Sequence, residues 1–75
     1  MFFKPPKSEF QMLEKPERGI VDETIGPNQP GRVKAMSSYW PAELYQPDGQ
    51  KVHLHRGKPV FVVAIDNITV LVVPM

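Results

Sequence analysis

The sequence predicts an all-β fold, a small β-barrel that is closed or partly closed around one core. Six short β-rich segments are separated by turn signals, and no internal segment has a convincing helical periodicity. The last two segments, 60–65 and 68–73, are apolar on both faces, whereas a half-exposed antiparallel strand alternates. One face of that hairpin can fill a barrel, so the other face must meet a second surface.

Length and composition limit the number of domains and the compartment. The 75 residues form one domain, because a chain of this size buries only about 60% of its unfolded surface. The absence of cysteine excludes disulfides, thiolate nucleophiles and zinc sites built on cysteine pairs. The longest apolar run is shorter than the ~20 residues of a membrane-spanning helix, and the first residues lack the apolar region of a secretory signal. We therefore expect no transmembrane segment and a cytoplasmic location.

The distribution of charge disfavours nucleic acid as a partner. The net charge of +1 arises before Pro16, from three lysines against two glutamates, and the charges from Glu17 onward cancel. No domain-wide positive field is therefore expected to attract phosphates. No pattern of residues indicates a small-molecule substrate.

The first sixteen residues predict a flexible N-terminal arm over 1–16, followed by a barrel over 17–75. The arm holds three of the nine prolines together with several charges. A short helix over 9–15 is one alternative for this arm, with Ser8 as its cap and Pro16 as its end. Docking of the arm's phenylalanine and leucine side chains on the barrel or on a partner is another.

Three strands are expected in the first half of the barrel. The first covers 19–25 and ends at a run of Gly, Pro and Asn, and the second covers 32–36, where charged and apolar residues alternate. The residues expected to face inward have odd numbers up to this point and even numbers from Trp40 onward. This change predicts a turn or bulge at Ser37–Ser38. Pro41 has no N–H to donate, so it should lie at an edge or beside a bulge.

The second half is expected to begin with a turn at 46–49 and a short strand at 51–55, followed by a turn at 57–59. The closing hairpin should turn at Asp66–Asn67, because asparagine tolerates the positive φ of a tight hairpin turn. The cross-strand pairs expected on one face are Ile65 with Ile68, Val63 with Val70 and Phe61 with Val72.

Several short motifs occur in a recognisable order and spacing. They are Pro30-Gly31-Arg32-Val33, then Trp40-Pro41-Ala42, then the hairpin start Gly57-x-x-Val60-x-Val62-Val63. In this order they resemble the C-terminal soluble domain of the NfeD-like family. The resemblance covers nearly everything after Glu17.

The resemblance implies a small five-stranded OB-like β-barrel, in a short, cyanobacterial-looking form without the membrane helices or protease domain of longer relatives. It implies a non-enzymatic protein-interaction module that associates with stomatin- or flotillin-type membrane scaffold proteins or with itself. Such a module would be cytoplasmic and peripheral to a membrane through its partner. Relatives tend to have charged residues where this chain has Phe61, Ile65 and Val73. These three residues are therefore the predicted partner-binding site.

Aromatic and histidine side chains were the other candidates for ligand binding. Trp40 could stack on a ligand, but its alternation with apolar neighbours predicts a core anchor instead. His53 and His55 lie on one side of an expected strand, and Asp48 is the sole candidate for a third ligand nearby. Because zinc takes three or four protein ligands, we predict no metal site.

The alternative function is a nucleic-acid-binding OB module that uses a basic patch of Lys51, Arg56 and Lys58. No aromatic residue lies between Lys51 and Lys58, although single strands bind through stacking on aromatic side chains. The protein-interaction hypothesis is therefore favoured.

The residues give no support to catalysis. Ser37 and Ser38 lie in a predicted turn without the glycines of a nucleophile elbow. Asp22 and Glu23 are adjacent in a predicted strand, so they should point to opposite faces and not to one bond. We predict no catalytic residue, no cofactor and no enzymatic activity.

Overall fold

The computed structural model of the chain describes residues 10–46, 49 and 51–75. These residues form five β-strands and contain no helix, so the predicted all-β class is confirmed. The strands are β1 (Phe10–Glu23), β2 (Gly31–Ala35), β3 (Ser38–Leu44), β4 (Pro59–Asp66) and β5 (Thr69–Pro74).

The five strands close into a barrel in the order β1-β2-β3-β5-β4. β1 closes it, because it pairs with β2 through one edge and with β4 through the other. All neighbours are antiparallel except β3 and β5, which run parallel between Ala42↔Val70 and Leu44↔Val72. This architecture is the small OB-like barrel that was predicted.

The interior is filled by small aliphatic side chains that alternate along each strand. Inward positions are odd in β2 and even in β3, as predicted from the change of parity between them. The core residues are Val21, Ile25, Val33, Ala35, Ala42, Leu44, Leu54, Val60, Val62, Val70 and Val72.

β1 begins earlier than predicted, and the alternative of a short helix over 9–15 does not hold for the residues described. Phe10 pairs with Asp66 and Met12 with Ala64, so the chain from Phe10 is extended against β4. A helix of seven residues is marginal alone, whereas pairing with β4 satisfies backbone groups and buries apolar surface. Residues 10–16, predicted as part of a flexible arm, belong to β1. Residues 1–9 lie outside the described residues, so the arm stays a prediction there.

The strand expected at 51–55 is reduced to a single bridge. Leu54 and Ile25 exchange two backbone hydrogen bonds, of 2.8 and 3.0 Å, and both side chains are buried. This segment therefore contributes to the core without joining the barrel as a sixth strand. In the turn before it, the Gly49 N–H donates to the Gln46 carbonyl at 3.1 Å, while Pro47 and Asp48 lie outside the described residues.

Both tight hairpin turns lie one residue away from their predicted positions. Between β2 and β3 the turn residues are Met36 and Ser37, with φ of 50° and 64°, the pair of positive values that defines a type I′ turn. Between β4 and β5 they are Asn67 and Ile68, and Asn67 has φ of 62°. The positive φ predicted for Asn67 is confirmed, but the turn at Asp66–Asn67 is not.

A β-bulge at Val63 changes the register of the β4–β5 hairpin. Val62 pairs with Val72 whereas Ala64 pairs with Leu71, so Val63 is an extra residue in β4. Together with the one-residue shift of the turn, the bulge makes the three cross-strand pairs predicted above wrong. The observed pairs include Phe61↔Val73 and Ile65↔Val70.

The bulge also exchanges the two faces of β4. Before it, Val62 faces the core; beyond it, Ile65 packs against the core. Ala64 is wholly buried but does not belong to the core cluster. In the sheet it lies between Met12 of β1 and Leu71 of β5. β1 pairs with β4 on both sides of the bulge, through Met12 at the tip and Arg18 at the base.

Gly31 and Pro41 occupy positions where their special backbone chemistry matters. A Cβ at Gly31 would overlap the carbonyl oxygens of Glu23 and Thr24 and would lie 2.8 Å from Cγ1 of Ile25, so only glycine fits. Pro41 lies where β3 pairs with β2 alone, since pairing with β5 begins at the next residue. Its predicted position at an edge is therefore confirmed.

Candidate protein-interaction surface

Two of the three predicted partner-binding residues lie side by side on the outside of the barrel. Phe61 of β4 is paired with Val73 of β5 and, through its other edge, with Arg18 of β1. Directly paired residues of antiparallel strands project to the same side of a sheet. Phe61 and Val73 are both half-buried, and Arg18 is exposed.

A second outward row runs parallel to the first, two residues further along each strand. Ile20 of β1 is paired with Lys34 of β2 and with Pro59 of β4, and the Met75 N–H donates to the Pro59 carbonyl at 3.4 Å. Ile20 and Met75 are each 48% exposed, which is high for large apolar side chains. Because residues two apart on a strand share a face, the two rows are adjacent.

These two rows form one continuous surface, which we call the outer apolar face and define as Ile20, Pro59, Phe61, Val73 and Met75. A groove of about 370 Å³ lies along it and extends to the start of the β2–β3 turn. The groove is lined by Arg18, Gly19, Ile20, Lys34, Ala35, Ser37, Pro59 and Met75.

Ile65, the third predicted residue, does not belong to this face. It lies beyond the bulge, is paired with the wholly buried Val70, and packs against the core. Alternation along the sequence predicts that Phe61 and Ile65 face the same side. The extra residue of the bulge reverses this alternation between them.

Ile20, Pro59 and Met75 are the residues that sequence reasoning missed. Ile20 lies between Gly19 and Val21, which are buried, so strict alternation already places it outside. Pro59 was read as a turn residue, but it begins β4.

Trp40 packs against the core as predicted, although it is half-buried and not fully enclosed. Its indole Nε1–H donates to the carbonyl of Ala35 at 2.9 Å. The hydrogen bond satisfies the ring nitrogen and ties β3 to the end of β2. Trp40 therefore has a structural role that accounts for both parts of its side chain.

The basic patch is accessible but is not organised around a ligand. Lys51, Arg56 and Lys58 are exposed, and so are His53 and His55. Within the described residues no three potential metal ligands come together, and Asp48, the predicted third ligand, lies outside that part of the chain.

Asp22 and Glu23 form ion pairs with the same side chain, that of Arg32, which corrects the expectation that they point to opposite faces. Nη2 of Arg32 lies 2.7 Å from Oδ2 of Asp22 and 3.1 Å from Oε2 of Glu23. A register shift between Val21 and Glu23 makes this possible, because it interrupts the alternation of β1. The hydrogen bond that Nε of Arg32 donates to Asp22, together with the charge of Glu23, raises the pKa of Arg32.

Tyr39 lies between two cations on the outer side of β2 and β3. The Arg32 guanidinium carbon is 5.6 Å from the centre of its ring, and Nζ of Lys34 is 5.7 Å away. Both distances are in the range of cation–π contacts. Ser37 and Ser38, which gave no support to catalysis in the sequence, are exposed at the adjacent turn and at the start of β3.

Comparison with known proteins gives one informative match. No family model matches the chain, and the search of curated proteins gave no match. The barrel is similar to a stomatin operon partner domain. That solved structure is the C-terminal domain of stomatin operon partner protein 1510-C from Pyrococcus horikoshii, with 28% sequence identity and a TM-score of 0.64.

The similarity to the stomatin operon partner domain extends over most of both molecules. It covers 80% of this chain and 84% of the archaeal domain. It agrees with the NfeD-like resemblance of the sequence motifs and supports an NfeD-like module. The described residues form no helix that is long and apolar enough to cross a membrane.

Proposed function

We propose that this chain is a non-enzymatic, NfeD-type protein-interaction module that binds its partner through the outer apolar face. The observation that carries the proposal is the exposure of this face on a barrel whose core is already complete. Ile20 and Met75 are each about half exposed, and Phe61 lies beside them. Apolar residues gathered on one side of a small domain mark interaction sites, whereas single scattered ones do not.

The proposed partner is a stomatin- or flotillin-type membrane scaffold protein, or a second copy of the chain. The similar archaeal domain is named as a stomatin operon partner, which supports a protein of this class. The module would then be cytoplasmic and held at the membrane surface through its partner.

The energy available from the outer apolar face is moderate. Full burial of an exposed aliphatic or aromatic side chain stabilises a complex by about 1.5–3 kcal/mol, and half-buried residues contribute part of that. Association costs on the order of 4–15 kcal/mol in lost freedom of motion. The face is therefore sufficient as the centre of an interface whose rim supplies further contacts.

Binding to a soluble domain of a stomatin-type protein tests the proposal, together with sedimentation of the chain alone. Phe61→Glu places a charge at the centre of the face, and Ile68→Glu is the matched control, an apolar-to-acidic change at the exposed hairpin turn. We expect Phe61→Glu to abolish capture or self-association and Ile68→Glu to preserve it. Equal behaviour of wild type and Phe61→Glu in both assays would contradict the proposal.

Nucleic-acid binding through Lys51, Arg56 and Lys58 is the alternative. Exposure of all three side chains leaves them accessible to phosphates. This function predicts binding to a labelled single strand that weakens steeply with salt. A failure to bind at low salt would eliminate it.

A further inference from the structure

The groove on the outer apolar face has an apolar floor and a positively charged rim. Ile20, Pro59 and Met75 supply the apolar part, and Arg18 and Lys34 supply two cations. No carboxylate side chain is among the lining residues, although the chain as a whole is nearly neutral. The groove is therefore a local positive site.

Neighbouring carboxylates do not neutralise this charge. Within the described residues, Arg18 and Lys34 form no ion pair with a carboxylate side chain, and Asp22 and Glu23 are paired with Arg32. Lys34 lies against the ring of Tyr39, which is neutral. Both rim cations therefore remain available for a charged group of a partner.

The backbone beside the groove is in a conformation that its residues disfavour. Met36 and Ser37 both have positive φ, and Ser37 lines the groove. A left-handed conformation is unfavourable for residues other than glycine, asparagine or aspartate. Such strain clusters at functional sites, where the surrounding structure holds it in place.

We propose that this groove binds an extended segment of the partner protein in which an apolar side chain is flanked by Asp or Glu. The inference deepens the proposed protein-interaction function and rests on it. The apolar side chain packs on Ile20 and Met75, and the flanking carboxylates pair with Arg18 and Lys34. A volume of about 370 Å³ is near the lower end for sites that enclose a ligand, which fits one side chain and its neighbours.

A library of random twelve-residue peptides displayed on phage is the probe for this specificity. Selection is carried out on the folded full chain and on the double variant Arg18→Glu/Lys34→Glu. We expect the wild type to enrich peptides in which Asp or Glu flank an apolar residue, and the double variant to enrich Lys or Arg there instead. Because exposed ion pairs contribute modestly and two of them are reversed, the best wild-type peptide should bind the double variant about tenfold more weakly.

The double variant Lys51→Glu/Lys58→Glu is the matched control, since it makes the same change of charge away from the groove. It should retain the acidic preference. Arg18 and Lys34 are exposed, and thermal unfolding checks that their variant folds. If it does not fold, Arg18→Gln/Lys34→Gln replaces it and should lose the acidic preference without acquiring a basic one.

Three outcomes would overturn the groove inference. They are the same peptide preference in wild type and double variant, no enrichment over an unrelated protein, and displacement of the peptides by a single-stranded oligonucleotide. The proposed function fails separately, if Phe61→Glu leaves partner capture and self-association unchanged. Loss of capture in Phe61→Glu with an unaltered preference in the charge-reversed variant would refute the groove inference alone.

Discussion

The bulge at Val63 divides the β4–β5 hairpin into a base and a tip, the tip being the part next to the turn. The two parts are similarly apolar in sequence, but their outer sides differ in exposure. At the base, Phe61 and Val73 face outward and remain partly accessible. At the tip, Ala64 is wholly buried outside the core. Pairing with β1 does not account for this difference, because β4 pairs with β1 on both sides of the bulge.

The hairpin is apolar on both faces for a different reason at the tip than at the base. At the tip, the second face is covered within the chain, and Ile65 has turned toward the core. At the base, the second face is left open and continues into Ile20 of the outer apolar face. Stability and binding should therefore respond to different residues of one hairpin.

The largest expected loss of stability comes from a residue outside the hairpin, and the losses expected for the hairpin variants are compared with it. Gly31→Ala would force a Cβ into the carbonyl oxygens of Glu23 and Thr24, and we expect a loss of about 3–5 kcal/mol in the free energy of unfolding. Gly19→Ala is the control, because its Cβ would lie at a less severe 3.2 Å from Cβ of Ala35 and from the Lys34 carbonyl oxygen. Urea denaturation followed by circular dichroism measures both, and a wild-type midpoint for Gly31→Ala would contradict the packing described.

A matched pair of valine-to-threonine changes compares the inner and outer sides of the hairpin base. Val62→Thr puts a hydroxyl into the core, where Val62 is wholly buried, and should cost about 1–3 kcal/mol. Val73→Thr makes the same change on the half-exposed face, where a cost within about 0.5 kcal/mol is expected. Equal losses in urea denaturation would show that the two sides are not distinct.

Ile65 and Phe61 test the separation of tip from base more finely. Ile65→Lys removes a side chain that packs against the core and should lower the free energy of unfolding by about 1–2 kcal/mol. Phe61→Glu should have a smaller effect on stability and a larger one on partner binding. Thermal unfolding and partner capture, measured on both variants, would contradict the account if the order of the two effects were reversed.

A modest gain of stability is expected at the β2–β3 turn. Replacing Met36 and Ser37 with Asn and Gly supplies the residues that a type I′ turn favours, and should stabilise the fold by about 1 kcal/mol. Met36→Ala keeps a non-glycine residue at positive φ and should give no such gain. A double variant that unfolds at or below the wild-type temperature would argue against a type I′ turn at this position.

The sequence was sufficient for the fold class and for most inward positions. Alternation placed Val33 and Ala35 inside correctly, and the polarity of Asn67 identified a residue with positive φ. These features are local, so composition and spacing carry them.

Features that depend on non-local pairing could not be predicted. The bulge at Val63 leaves no mark in an apolar run, yet it moved Ile65 out of the candidate site and shifted the hairpin register. The strand at Phe10 exists because β4 extends far enough to pair with it. The outer apolar face combines residues of β1, β4 and β5 with Met75, which follows β5. These residues are far apart in the sequence, and only strand pairing brings them together.

Nuclear magnetic resonance of the ¹⁵N-labelled chain tests the central claim most directly. Amide shifts would be followed during titration with a soluble domain of a stomatin-type protein and during dilution of the chain alone. The account predicts that at least one series moves the amides of Ile20, Phe61 and Val73 while those of Lys51 and Lys58 stay in place. Changes confined to the segment from Lys51 to Lys58, or no change in either series, would contradict it.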